Sequence, residues 1–329
     1  MKHVLVTGGA GFIGSHLVER LLAAGDSVTV VDDLSTGRAG NLAAVQGHPS
    51  LEVRHADLGD PALVRRECRR ADAVFHLAAA VGVALIAARP TETIHRNIYP
   101  TQLLLEALQE EHSFGRRVPL FLASTSEVYG KNPKPIWSES DDLVFGATTK
   151  PRWSYGASKA IDEFLSLASV REFNLPIVIG RFFNVVGPRQ TGAYGMVLPR
   201  FVTAAMAGEP LVVHDDGRQQ RCFAHVADVV DAVLRLMDTP TAYGRVYNIG
   251  SDSPVQILEL AEMVIEIVNP AATIEHRSYT EAYDADFEDI RRRVPDLSRL
   301  RATIGEHRQR KLPDIIGDVW AAMRAEGAS

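Results

Sequence analysis

A tyrosine and a lysine stand four residues apart in Tyr155-Gly156-Ala157-Ser158-Lys159, a spacing that puts both side chains on one face of a helix. A free phenol ionises near about pH 10, so it serves as a base at neutral pH only beside positive charge. Lys159, together with an oxidised nicotinamide, is the expected source of that charge. Upstream, Ser124-Thr125-Ser126-Glu127-Val128-Tyr129-Gly130 offers hydroxyls and one carboxylate directly after an apolar run. Tyr-x-x-x-Lys also arises by chance as a surface pair on an ordinary helix, so the catalytic reading depends on what accompanies it.

What accompanies it is a phosphate loop. Thr7-Gly8-Gly9-Ala10-Gly11-Phe12-Ile13-Gly14 follows the apolar run Val4-Leu5-Val6 and precedes an amphipathic stretch from Ser15 to Leu22. In such a loop Gly8 permits the tight strand-to-helix turn, Gly11 lets backbone amides approach a pyrophosphate, and Gly14 lets the helix pack on the strand. A second apolar run, Ser27 to Val31, ends in Asp32-Asp33. An acidic residue about 20 positions past the glycines accepts hydrogen bonds from an adenosine ribose and repels a 2′-phosphate, so NAD is expected over NADP.

These groups need a scaffold that gathers strand ends. Further strand-like runs are Leu51–His55, Ala73–Ala79, Pro119–Thr125 and Pro176–Arg181, with helical apolar spacing between them, as at Ile98 to Leu108 and Ala160 to Ala168. The expectation is an α/β fold, a Rossmann-type doubly wound parallel sheet with a smaller C-terminal lobe, ligands sitting beyond the carboxyl ends of the strands. Residues 1–184 are assigned to the NAD-binding domain, with 223–250 returning to it, and 185–329 to a discontinuous substrate lobe. The proline-bearing stretch Lys131 to Pro151 reads as an excursion near the site, and Arg291 to Ser329 as charged and helical toward its end.

The 329 residues provide an ample core, and a formal charge of -6 argues against a nucleic-acid or anionic-membrane surface. Cys68 and Cys222 are too few for a disulfide framework, which suits a cytoplasmic protein. The N-terminal apolar run reads as a first strand and not a signal peptide. His16, His76 and His225 lack metal-ligand spacing and are read as structural, with no metal expected.

Taken together, these motifs resemble the extended short-chain dehydrogenase/reductases that act on nucleotide sugars, over nearly the whole chain. The matching pieces are the glycine loop, Asp32, Asp57-Leu58, His76-Leu77-Ala78-Ala79, Asn97, the Ser-Thr-Ser-Glu segment, Tyr155 with Lys159, Arg181 to Arg189, and Arg221 to Val226. The resemblance implies a bound NAD contacted by Gly8, Gly11, Phe12, Ile13, Gly14, Asp32, Asp57, Leu58, Ala78, Ala79, Asn97, Tyr155, Lys159 and Val185. It implies oxidation of the sugar at carbon 4 with Tyr155 taking the hydroxyl proton and Thr125 assisting, followed by epimerisation, dehydration or decarboxylation. Asn184, Arg189, Arg221 and Arg293 are implied to bind the UDP-sugar, whose base, uracil or thymine, the residues leave open. A homodimer through the helices beginning near Asn97 and Tyr155 is implied as well.

The strand end narrows the reaction. Dehydratases of this family carry Thr-Asp-Glu, and Ser126 cannot act as the middle acid. Thr125-Ser126-Glu127 is similar to the UDP-glucuronate decarboxylases and the decarboxylase of the 4-amino-arabinose pathway. Arg152-Trp153-Ser154-Tyr155 and Glu281-Ala282-Tyr283-Asp284 leading to Arg293 resemble the latter and the UDP-apiose/xylose synthases. Decarboxylation of UDP-glucuronate is therefore preferred, with UDP-glucose or UDP-glucuronate 4-epimerisation as the alternative. A dehydratase or a non-catalytic NAD-binding protein ranks below. Glu127 has either a proton role or a positioning one, and Arg293 grips either the diphosphate or the sugar carboxylate. Pro100, Asp215 and Gly305-Glu306-His307 depart from the family pattern, the second bearing on the nucleotide pocket and the last on packing of the final helix.

Overall fold

The computed structural model describes residues 1–80, 90–192, 196–278 and 290–327; the expected motif Glu281–Asp284 lies outside them. The first half runs β1 (His3–Thr7), α1 (Phe12–Ala23), β2 (Ser27–Asp32), β3 (Leu51–His55), α2 (Pro61–Arg70) and β4 (Ala73–His76). It continues through α3 (Pro90–Ser113), β5 (Leu120–Thr125), α4 (Ser154–Phe173) and β6 (Ile177–Phe182). The second half holds β7 (Val185–Val186), α5 (Val197–Ala207), β8 (Leu211–His214), β9 (Gln220–Cys222), β10 (Ala224–His225) and α6 (Val226–Met237). Then follow β11 (Arg245–Ile249), β12 (Pro254–Gln256), α7 (Ile257–Val268), β13 (Ile274–Arg277), β14 (Arg292–Arg293), α8 (Ser298–Ile304) and α9 (Leu312–Gly327).

Seven strands form one parallel sheet in the order β3-β2-β1-β4-β5-β6-β11. Strands covered on both faces read as unbroken apolar runs, and alternate residues supply each side. Val4 and Val6 join the cluster with α1 and α6, whereas Leu5 joins the one with α2 and α3. The side on which successive strands are added reverses between β1 and β4, which opens the crevice in which ligands of such sheets sit. β11 completes the sheet's far edge, in register with β6.

A separate core, built on α5, α7, α9 and β8, supports the substrate side, with Leu198, Val213, Leu260, Ile315 and Ile316 buried in it. α9 therefore packs despite the altered residues before it. Asp215 adopts φ +51°, a turn conformation natural to glycine, and His214 beside it lines the cleft. Pro100 lies inside α3, where it lacks the N–H that would bond the Arg96 carbonyl.

The Lys131–Pro151 excursion has a supporting role. Trp137, 1% exposed, packs on Tyr129 and Phe183. Its backbone accepts from Asp296 and donates to the Val294 carbonyl. The Asn248 amide ties the Trp137 and Asp296 carbonyls together and accepts from the Tyr129 hydroxyl. The excursion thus clamps the segment that carries Arg293.

Candidate active site

The glycine loop closes one end of a cleft of about 1120 Å³. Gly8 has φ +70°, and a Cβ there would fall 2.6 Å from the Ala78 nitrogen. At Gly14 a Cβ would fall 2.1 Å from the Gly8 carbonyl, so only glycine lets α1 approach the loop. The helix starts at Gly11 with no side-chain cap and no acidic residue in its first turn. Its amides and positive dipole end are left for an anion. Asp32 stands at the end of β2, 7% exposed, accepting from the Ala10 and Leu34 amides. Burial raises its carboxyl above the usual range, against those two hydrogen bonds. Arg96 pairs with Asp33 nearby, 2.7 Å away. This glycine cradle and carboxylate fit a pyrophosphate and a ribose, the two parts of NAD that such loops hold.

At the opposite wall, Thr125 ends β5 and its hydroxyl accepts from the Glu127 amide, opening a single 3₁₀ turn. That turn aims Glu127 between two guanidiniums, Arg152 at 2.7 Å and Arg293 in direct contact. Burial works against the charge of Glu127, yet Arg293 and Arg152 outweigh it and hold the carboxyl down at about 2. Glu127 is thus a fixed anion. Arg293 lies beside Arg221 in the parallel pairing of β14 with β9. Asn184, at φ +33°, donates to the Cys222 carbonyl.

Tyr155 opens α4 and lines the cleft with Thr125, which hydrogen-bonds its hydroxyl. Burial and then the Glu127 charge push its phenol above its ordinary range, Thr125 acting the other way. Lys159, expected to supply positive charge to the phenol, is paired within its own helix in this structure. Lys159 is 2% exposed and its ammonium donates to Asp162 at 2.7 Å, one helical turn on. The lysine's charge is answered locally by a carboxylate.

The structure brings the sequence-derived residues to one cleft with two exceptions. Gly8, Gly11, Phe12, Ile13, Gly14, Asp32, Asp57, Leu58, Ala78, Ala79, Thr125, Ser126, Glu127, Tyr155, Asn184, Val185, Arg189, Arg221 and Arg293 all line it. Lys159 and Asn97 lie beneath its surface. Asn97 accepts from the Ala80 amide and donates to the Ser158 hydroxyl, joining the loop after β4 to α4. Arg189 stands at the glycine end, bonded to Ser15 and ion-paired with Glu19 at 2.5 Å, and not with Arg221 and Arg293.

His76 is buried between the Thr7 and Thr101 hydroxyls, at 2.7 and 3.2 Å. Burial, then Lys159, pushes its imidazole down to about 3, so it is neutral. His225 caps α6 by accepting from the Ala227 amide, and His16 bonds the Pro188 carbonyl. No group of three or more histidine, cysteine, aspartate or glutamate side chains suited to a metal occurs among the described residues. Both cysteines are buried, with thiols pushed up to about 12 chiefly by burial. No helix among the described residues is long and apolar enough to cross a membrane.

Sequence reasoning missed the second clamp on Glu127, Arg152, as a partner, and missed Asp162 altogether. The spacing of Asp162 from Lys159, three residues on one helix, was the available signal. It also missed the buried pair of Arg181 with Glu163, 2.7 Å apart, which secures β6 to α4.

Residues 4–250 match the model of the NAD dependent epimerase/dehydratase family. A UDP-N-acetyl-alpha-D-glucosaminuronate decarboxylase of Bacillus cytotoxicus is 38% identical over 301 residues, 91% of this chain and 91% of that protein. UDP-glucuronic acid decarboxylase 2 of Arabidopsis thaliana is 36% identical over 92% of this chain, which spans 64% of that longer protein. Among solved structures, a variant UDP-glucuronic acid 4-epimerase from Bacillus cereus, in complex with NAD and a fluorinated UDP-glucuronic acid, superposes with a TM-score of 0.87. It is 26% identical, over 98% of this chain and 99% of that one.

Proposed function

Because this chain belongs to the NAD-dependent epimerase/dehydratase family, we propose that it is an NAD-dependent decarboxylase of a UDP-uronate, working through a 4-keto sugar. The observation that carries the reading is the cluster of Glu127, Arg152 and Arg293 at the end of β5. Two guanidiniums gather there around one carboxylate at the cleft wall. Planar forks at that wall suit a sugar with a carboxylate at carbon 6.

The glycine loop, Asp32 and the N-terminus of α1 would hold NAD+, which when bound would supply the reversible oxidation at sugar carbon 4. Tyr155 takes the carbon 4 hydroxyl proton, with Thr125 aligning its hydroxyl. A ketone at carbon 4 is β to the carboxylate at carbon 6. The carbon 5 to carbon 6 bond then breaks, carbon dioxide leaves, and its electron pair enters the carbonyl as an enolate. Protonation at carbon 5 and reduction at carbon 4 give a UDP-pentose. Arg293 and Arg152 orient the carboxylate, while Glu127, ionised at neutral pH, fixes both arginines. Arg221 and Asn184 are assigned to the diphosphate, and Arg189 to the side nearer the glycine loop.

A homodimer is part of this reading. α3 and α4 pack on each other, and α4 presents Ile161 and Phe164, 44% and 64% exposed, three residues apart on its outer face.

The test is incubation of the purified protein with UDP-glucuronate, UDP-N-acetylglucosaminuronate and UDP-glucose in separate reactions, followed by NMR. Carbon dioxide and a UDP-pentose are expected from one of the uronates, with turnover reduced about 10²–10⁴-fold in Tyr155→Phe while NAD stays bound. A product of unchanged mass with carbon 4 inverted would replace decarboxylation by 4-epimerisation.

A further inference from the structure

Arg96, in the second turn of α3, reaches across the glycine-loop end of the cleft to the loop after β2. Its Nη1 donates to Asp33 Oδ2 at 2.7 Å, and its Nε lies 3.0 Å from Glu92 Oε1, one helical turn back. Two nitrogens of the guanidinium are thus held by carboxylates. Asp33 is itself fixed: its Oδ1 accepts from the Ser35 amide and hydroxyl, and its carbonyl accepts from the His55 ring at the end of β3. Burial works against its charge, yet the bonds from Ser35 and Arg96 hold its carboxyl below the ordinary range.

The position matters because of its neighbour. Asp32, the preceding residue, is the carboxylate suited to an adenosine ribose, and its two oxygens accept the Leu34 and Ala10 amides. Dinucleotide sites of this kind carry an acid for the ribose 2′-hydroxyl or an arginine for a 2′-phosphate. This wall carries both. Arginine suits a phosphate through its planar fork and permanent charge, and here that fork is occupied by protein carboxylates. Arg38, from the loop after β2, lines the same cleft.

We propose that Asp33 is a specificity-determining residue for the cofactor: by pairing with Arg96 it withholds the guanidinium from a 2′-phosphate, and so adds to the exclusion of NADP that Asp32 begins. Two elements carry this second layer, α3 supplying the arginine and the loop after β2 the carboxylate. The inference rests on the ribose site at Asp32 and not on which sugar is turned over.

Asp33→Asn tests this because asparagine keeps an oxygen for Ser35 and removes the charge that holds Arg96. Wild type and variants are equilibrated by dialysis against mixtures of NAD+ and NADP+, and the bound nucleotides are quantified by chromatography. This gives the ratio of the two affinities with no sugar present. In Asp33→Asn the ratio is expected to shift toward NADP+ by about 10–100-fold, the range of one charge-assisted hydrogen bond, with NAD+ affinity within about threefold. In Asp33→Asn/Arg96→Ala it should return to within about threefold of wild type. Asp33→Ser, smaller and also neutral, carries the same expectation as Asp33→Asn if asparagine is not accommodated.

An unshifted ratio in a folded, NAD-binding Asp33→Asn protein would overturn the proposal. So would a shift that survives Arg96→Ala, since Arg38 or the loss of repulsion alone would then account for it. A wild-type protein that retains neither nucleotide would remove the ribose site itself, a failure separate from that of the pairing. A decarboxylase and a 4-epimerase would give the same ratios, so the result stands apart from the choice between them.

Discussion

The residues of the site differ in how far their chemistry follows from their type. Tyr155 and Thr125 meet as their positions suggest, and the phenol is held up by burial and by Glu127. Glu127 could have been an acid or a fixed charge, and its two arginines decide for the fixed charge. That choice has a stability signature. The folded carboxyl sits at about 2 against an ordinary value of 4.5, so its stabilisation is fully present above about pH 4.5 and is lost as pH falls toward 2. Glu127→Gln should remove this part of the acid sensitivity and cost about 3–5 kcal/mol at neutral pH, since two buried guanidiniums would then face each other. Urea unfolding of both proteins from pH 7 to pH 2.5 measures it; parallel curves would show that the pair carries no net stabilisation.

At the level of elements, α4 is the part that organises the chemistry. Tyr155, Lys159, Asp162 and Glu163 recur at helical spacing and turn one stripe toward the strand ends. The other organiser is the excursion after β5, which composition alone marks only as a loop. Through Trp137 it pairs with the Val294–Asp296 segment and holds Arg293 against Glu127. Trp137→Ala should therefore cost about 3–5 kcal/mol, the usual loss for a buried large aromatic. It should also lower kcat/KM by about tenfold or more, because a loosened arginine is a misplaced one. Thermal unfolding and steady-state kinetics give the two numbers. Lost stability with kcat/KM unchanged would mean that the excursion supports the fold and not Arg293.

For the molecule as a whole, the fold places the site residues at one crevice with Lys159 and Asn97 beneath it, bounded by the second core built on α5, α7 and α9. The outer face of α4 is where the proposed dimer would form. Phe164→Glu places a charge on that face, 64% exposed in the single chain, and should convert a dimer to a monomer in light scattering while NAD binding persists. A mass unchanged by the substitution would move the interface elsewhere.

How much of this was legible in the residues depends on the range of the interaction. The glycine loop, Asp32 and the Tyr155–Lys159 spacing are local patterns, and local sterics and helix period translate them directly into turn, strand end and helix face. Unbroken apolar runs separated by helical stretches likewise specify a parallel sheet, since strands buried on both faces need helices to cover them. Charge partners are a different matter. Arg152 and Arg293 reach Glu127 from 25 and 166 positions away, and Arg189 turns to Glu19 across 170. Such pairings follow from where packed elements bring side chains, and their strength follows from burial, neither of which is written in spacing. Even Asp162, only three residues from Lys159, gains its meaning from the core that excludes water around both. The chain's pattern thus sets which groups are at the crevice, and its packing sets which of them carry charge there.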